Sequence, residues 1–179
     1  PALRARRNGA QLLATLRDLS DDLAGALTKR DEDGIYRVLT AARGTQSSVD
    51  AMHSGMRVGR EVGTASPLYW NERTRLRRIA ATGEPIDNAV RNFRVIARRA
   101  LGLTQRGVVL EPGVLEVIRD MAEGFEILRA MMMSPPNGAP DGADAARVLR
   151  TIVRKARVAV AEAREQIVDG GGDLSEAAL

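Results

Sequence analysis

Apolar residues recur every three or four positions along almost the whole chain, and this spacing is what most limits how the chain can fold. In the first segment these residues are all leucines, at Leu12, Leu16, Leu19, Leu23 and Leu27. Steps of three and four place side chains on one face of an α-helix, whereas a half-buried strand would need steps of two. The stripe therefore predicts a first helix from near residue 2 to residue 29.

Four further stripes have the same period. The second follows the candidate N-caps Asp31 and Asp33 and reaches about residue 62, with Ile35, Val38, Leu39, Ala42, Val49, Met52 and Met56. The third covers residues 67–103, with Leu76, Ile79, Ile86, Val90, Phe93, Ala97, Ala100 and Leu103. The fourth opens at Glu111-Pro112 and has Leu115, Ile118, Ala122, Phe125, Leu128 and Met132. The fifth follows a candidate cap at Asp144, with Val148, Leu149, Ile152, Ala156, Ala159 and Ala163.

Glycine and proline mark the expected interruptions of these helices. Gly63 should end the second helix, and Ser66 with Pro67 should start the third, because proline is tolerated at the first helical position. Inside the third stripe, Gly83 and Pro85 should kink or break the helix, since proline removes a backbone hydrogen bond. The Pro/Gly-rich residues 134–144 predict an exposed, mobile loop.

These patterns predict an all-α fold, namely an elongated antiparallel bundle of about five long helices whose third helix is kinked or broken near Gly83-Pro85. Aromatic residues make up only 3% of the chain, which also favours helices over a β-sandwich. We expect a single helical-bundle domain over residues 1–168 and a flexible C-terminal tail over residues 169–179.

The sequence contains few residues suited to catalysis or to metal binding. It has no cysteine and one histidine, His53, so neither a thiolate nucleophile nor the usual zinc site can be assembled. Asp50, His53 and Ser54 resemble the parts of a catalytic triad, but neighbouring residues on a helix point about 100° apart. We therefore expect a structural or surface role for His53, no catalytic residues, no metal site, no cofactor and no enzymatic activity.

No apolar run approaches the roughly 20 residues that cross a bilayer, and the first residues lack the hydrophobic stretch of a signal peptide. The chain begins with Pro1 and not Met. We expect it to be a processed product or an excised part of a longer protein.

Arginine accounts for most of the positive charge and is concentrated in one segment. Of the 27 basic residues only Lys29 and Lys155 are lysines, and residues 68–106 carry nine arginines against three acidic residues. At about 100° per residue, one face of the third helix collects Glu84, Asp87, Arg91, Arg94 and Arg98, opposite the apolar stripe. Asp87 and Arg91 should pair at i and i+4, leaving Arg94 and Arg98 available. Either this face is simply solvated, or its arginines reach acidic groups of a neighbouring helix or subunit, or an anionic ligand.

The run GEPIDNAVRNFRVIARRAL, preceded by RTRLRR and by Tyr69-Trp70, resembles the soluble helical region of bacterial proteins in the fusaric acid resistance and aromatic acid exporter family. The resemblance covers about 40 residues. Its pattern is Pro85, Asp87, Arg91-Asn92 and Arg98-Arg99. The chain departs from the family because it contains no transmembrane segment, so it cannot itself perform transport.

The resemblance implies a non-enzymatic domain on the cytoplasmic side of the inner membrane, serving assembly, gating or regulation of an efflux protein for aromatic acids or related amphipathic anions. The expected partners are the transmembrane portion of the same protein, further copies of the domain and a small anionic ligand. The candidate binding residues are Arg73, Arg77, Arg78, Asp87, Arg91, Asn92, Arg94 and Arg98.

The alternative reading is a basic helical module that binds nucleic acid or another anionic partner. The pI near 10.3 favours it. Arginine is scattered over several helices, however, and aromatic stacking platforms are missing, so nucleic acid is not the expected partner.

Overall fold

The computed structural model describes residues 2–65, 70–134 and 142–176, and within them the side chains of residue 4 and of residues 6–57, 82–134 and 143–162. These ranges contain six helices, α1 (Ala2–Lys29), α2 (Glu32–Gly44), α3 (Gln46–Ala65), α4 (Trp70–Gln105), α5 (Pro112–Met133) and α6 (Gly142–Glu176). The all-α class predicted from the sequence is confirmed.

The second predicted helix is divided at Thr45 into α2 and α3. Thr45 is buried, and its hydroxyl and its backbone N–H both donate to the carbonyl of Ala42, at 2.8 and 3.4 Å. The side chain thus takes up a carbonyl that would otherwise accept from the next turn of the helix. The apolar stripe passes through this point without a change of spacing, which is why the sequence pattern predicted one helix.

Two residues, Arg30 and Asp31, determine the conformation of the connection between α1 and α2. Arg30 adopts a φ of 54°, and the backbone N–H groups of Arg30 and Asp31 donate to the carbonyls of Leu27 and Ala26. This is the Schellman pattern that ends a helix. Asp31 then caps α2, accepting from the Gly34 N–H at 2.9 Å, as the sequence predicted.

The third predicted helix is not broken at Gly83-Pro85. α4 is continuous from Trp70 to Gln105 with Pro85 inside it, which at about 1.5 Å per residue makes it about 54 Å long. Pro85 itself is exposed, but its neighbours on α4 are closely packed: a Cβ added to Gly83 would lie 2.5 Å from Met56 Sδ, and Ile86 is 5% exposed. Tertiary contacts outweigh the local cost of proline here.

α1 and α5 run antiparallel, as residue pairs in reversed order show. Between α1 and α5, Arg6 donates to the carbonyls of Met132 and Ser134, Arg17 pairs with Glu126, and Arg119 donates to Thr28. α1 packs against α2, α3, α4 and α5, and α6 packs on α5. The core therefore surrounds α1.

The predicted stripes supply this core. All five leucines of the first stripe are buried, as are the seven members of the second, and Ile86, Val90, Phe93, Ala97 and Ala100 of the third. In the fourth stripe Leu128 is 39% exposed, so its predicted burial is wrong.

Several predicted boundaries also differ. α3 continues two residues beyond Gly63. α6 begins at Gly142, so Asp144 lies in its first turn and is not the cap. α6 also continues to Glu176, so helix occupies residues 169–176, where we expected a tail. The predicted restart at Ser66 and Pro67, and residues 135–141 of the predicted loop, lie outside the described residues.

Candidate functional site

Asp87 is the centre of an ion-paired cluster that joins α3 to α4. Arg91, one turn further along α4, donates to its carboxylate through Nη2 at 2.5 Å and Nε at 3.2 Å. His53 of α3 approaches the same carboxylate, with 3.5 Å between Nε2 and Oδ2. The predicted i, i+4 pair is therefore confirmed, and the histidine adds a link between helices that the sequence did not reveal.

The cluster keeps the Asp87 carboxylate charged. The hydrogen bond from Arg91 lowers its pKa below the ordinary value, against an opposing effect of partial burial, and His53 lowers it further. The same pairing raises the pKa of Arg91. Because the side chain of Asp87 is only 14% exposed while that of Arg91 is 65% exposed, the carboxylate is the more buried member of the pair. The cluster thus links α3 to α4.

Arg94 is not available on the surface as we expected. Its Nε donates to the Ala42 carbonyl at 2.9 Å, its Nη2 to the Thr45 hydroxyl at 3.1 Å and its Nη1 to the Gln46 side chain at 2.9 Å. All three acceptors lie at the junction of α2 and α3. Arg94 therefore reaches a neighbouring helix, one of the alternatives left open by the sequence, but it satisfies a helix end and not an acidic group.

Arg98 and Asn92 lie on the outer surface of α4, where we expected Arg98 to remain available. Both are exposed, and neither has a hydrogen-bond or ion-pair partner among the described residues. The structure places Arg73, Arg77 and Arg78 within α4, but their side chains are not among those that it describes. Of the eight predicted binding residues, the structure therefore brings together Asp87 and Arg91, assigns Arg94 to a structural contact and leaves Arg98 and Asn92 free.

A shallow groove of about 290 Å³ lies between α5 and α6 and was not predicted. Its carboxylates are Glu116, Asp120 and Glu162, and its cations are Arg154 and Lys155. Lys155 donates to Asp120 at 3.0 Å, which raises the pKa of Lys155. The helices approach closely at the floor, where a Cβ on Gly113 would lie 3.6 Å from the Ala159 methyl. Only the helix register brings these charges together, so sequence spacing could not show the groove.

Among the residues that the structure describes, no three histidine or acidic side chains cluster in a way that could hold a metal ion. In the same part of the chain, no helix combines the length and the apolar character needed to cross a membrane.

Comparison with known proteins identifies a relative of this chain. The chain is 32% identical over 118 residues to an uncharacterised protein of Corynebacterium glutamicum, and the match covers 66% of this chain but only 30% of the relative. The chain thus spans less than a third of the length of the protein it matches. No family model matches the chain. No solved structure matches it either.

Proposed function

We propose that this chain is a non-enzymatic assembly and regulatory domain of a longer, transporter-like membrane protein, placed on the cytoplasmic side of the inner membrane. The resemblance to aromatic acid exporters suggests aromatic acids or related amphipathic anions as the exported molecules. The partners of the domain would then be the transmembrane portion of the same protein and further copies of the domain.

The contacts that the charged residues of α4 make are the main support for this proposal. Arg94 holds α4 against the junction of α2 and α3, and Asp87, which pairs with Arg91 within α4, links α4 to α3 through His53. An enzyme or ligand-binding site would need such groups to converge on an open cavity. Here they fix the positions of helices instead, and Arg98 on the same face remains outside, where it can reach another subunit.

The length of the relative supports the second half of the proposal. The matching segment is 30% of that protein, so a segment like this one occurs within a chain more than three times as long as the match. A domain embedded in a longer chain can receive or transmit a conformational change through its helix ends. That arrangement fits assembly and regulation.

Expression of the intact parent protein tests the proposal. We expect it in the membrane fraction, and we expect chemical crosslinking and native mass spectrometry to show oligomers. Arg98→Glu should lower the crosslinked fraction, whereas Arg43→Glu on α2, a control of equal charge change at another exposed arginine, should not. A protein that stays in the soluble fraction, or is strictly monomeric both as the intact protein and as this chain, would contradict the proposal.

A second candidate, a basic helical module that binds nucleic acid, is favoured by one observation. From Asn88 to Leu110 the chain has five arginines and no acidic residue. Binding to phosphates should weaken steeply as salt is added, because counterions are released on binding. Gel-shift titrations over a range of salt concentrations distinguish the two functions. Subunit assembly through an interface of both apolar and charged contacts should depend on salt much less than phosphate binding does.

A further inference from the structure

α6 is an outer helix of the bundle and uses one face for packing. Its packing in the described chain is on α5, and its buried side chains among the described residues are the small Ala145 and Ala159, each 8% exposed. The opposite face therefore lies on the outside of the molecule over residues 143–162. A flat surface can approach such a helix along its length, whereas α4 has α1, α2 and α3 packed around it.

The outward face of α6 is an arginine stripe. At about 100° per residue, Arg147, Arg150, Arg154 and Arg157 fall within about 80° of one another, and the middle of this arc lies opposite the two buried alanines. All four are exposed. Arg147 pairs with Asp144, and the other three have no ion-pair or hydrogen-bond partner among the described residues, although Arg154 also lines the edge of the groove between α5 and α6.

Exposed valines flank this arginine stripe. Val153 and Val160, seven residues apart, are 50% and 65% exposed and lie on one side of it, and Val158, 51% exposed, lies on the other. Valine is not needed on a solvated helix face, where polar residues with higher helix propensity are usual. The outer face of α6 therefore combines free positive charge with apolar side chains in adjacent rows.

We propose that this face of α6 lies against an anionic phospholipid surface, with Arg150, Arg154 and Arg157 contacting headgroup phosphates and Val153 and Val160 entering the boundary with the acyl chains. A lipid surface presents a negative layer directly above an apolar one, which matches both rows. A nucleic acid would use the arginines but would leave the valines in water. The inference rests on the proposed membrane-associated role, to which it adds a contact surface.

Vesicle binding by the full chain tests the arginine stripe. We expect co-sedimentation with vesicles that contain phosphatidylglycerol and much weaker binding to vesicles of phosphatidylcholine alone. The triple variant Arg150→Gln/Arg154→Gln/Arg157→Gln should bind the anionic vesicles about one hundredfold more weakly, since each basic residue near the surface contributes about a factor of five.

The matched control is Arg7→Gln/Lys29→Gln/Arg43→Gln. It removes the same net charge from three exposed cations on α1 and α2 and should keep most of the binding. Circular dichroism of both triple variants confirms that each is folded. An equal loss of binding in the two variants would mean that only net charge matters, and it would overturn the proposal.

The valines give an independent readout. Val160→Ser should weaken binding to anionic vesicles by about threefold to tenfold, because a partly buried apolar side chain is lost. Val109→Ser, at a loop valine of nearly equal exposure, 63% against 65%, should have no effect. Equal binding by Val160→Ser and the unmodified chain would contradict insertion of this side chain.

Three other results would also overturn the proposal. One is equal binding to neutral and anionic vesicles. Another is competition by a single-stranded oligonucleotide that depends on the same three arginines, which would make nucleic acid the partner. The third is loss of crosslinked oligomers in the Arg150/Arg154/Arg157 variant, which would make a second copy of the chain the occupant. If oligomers persist while vesicle binding is absent, the lipid contact is wrong and the proposed assembly role stands.

Discussion

Arg94 connects α4 to the interruption between α2 and α3, and it does so through hydrogen bonds to neutral groups. Its planar fork spans acceptors on three different residues, Ala42, Thr45 and Gln46. A lysine has the same charge but cannot present donors in this fixed geometry. The contact therefore depends on the shape of the guanidinium.

We predict that Arg94→Lys lowers the free energy of unfolding by about 1–3 kcal/mol, because the carbonyl and hydroxyl at the junction lose charged donors. Denaturant unfolding followed by circular dichroism measures this change. Arg98→Lys, on the same helix but without a hydrogen-bond or ion-pair partner among the residues that the structure describes, should change the stability by less than about 0.5 kcal/mol. Similar values for the two variants would show that the Arg94 contacts contribute nothing.

Arg30 and Gly107 occupy the same position at the ends of two helices. Both have positive φ, 54° and 73°, and in both cases the residue and its successor donate back to the last turn, at Leu27 and Ala26 for α1 and at Thr104 and Leu103 for α4. Glycine adopts this conformation without the steric cost that a Cβ brings. Arg30 is therefore a site where the chain carries avoidable strain.

We predict that Arg30→Gly raises the free energy of unfolding by about 0.5 kcal/mol and that Gly107→Ala lowers it by about 1 kcal/mol. The gain at Arg30 is the smaller because glycine also makes the unfolded chain more flexible. Thermal and urea unfolding of the two variants measure both effects. A stabilising Gly107→Ala would show that this helix end relaxes to another conformation.

At the scale of single helices, Glu126 links α1 to α5. It accepts from Arg129 on its own helix at 2.6 and 2.8 Å and from Arg17 of α1 at 2.8 Å. The hydrogen bond from Arg129 and, more weakly, that from Arg17 lower the pKa of Glu126 from its ordinary 4.5 to about 2. The folded protein therefore holds this carboxylate charged at a pH where the unfolded chain has protonated it.

A carboxylate with a lowered pKa in the folded state stabilises the protein above the unfolded value of 4.5, and this contribution is lost as the pH falls towards 2. Because the side chain is 37% exposed, solvent screening reduces the contribution to about 1 kcal/mol. We predict that Glu126→Gln is less stable by that amount at pH 7 and that the difference disappears near pH 2. Urea midpoints measured between pH 7 and pH 2 test this, and a constant difference across the range would contradict it.

The helices themselves were largely predictable, and the contacts between their charged residues were not. Leucine spacing gave α1 its bounds, and Asp31 gave the start of α2, because both signals are local. The interruption at Thr45 and the continuity of α4 through Pro85 depend on packing against other helices. The Asp87–Arg91 pair is one turn apart and could be predicted, whereas the contacts of His53 and Arg94 needed the register of α3 against α4.

For the molecule as a whole, burial is distributed unevenly between the centre and the outer helix. α1 contributes Leu12, Leu16 and Leu23, each at most 1% exposed, and it contacts four other helices. In α6 the buried side chains of the described residues are two alanines, each 8% exposed. Separating α6 from α5 would therefore expose much less apolar surface than separating α1 from the bundle.

We predict that α6 opens independently of the rest of the bundle. In native-state hydrogen exchange at low denaturant, amides of residues 143–162 should exchange through a low-energy opening, while amides around Leu16 and Val90 should exchange only through global unfolding. α5 provides the internal control, because its contact with α1 should keep Ile118 and Ala122 protected when α6 has left. If amides of α6 and α1 instead exchange with one common free energy of opening, the chain unfolds as a single cooperative unit. In that case contacts beyond the small buried residues and the Lys155–Asp120 pair must hold α6 in place.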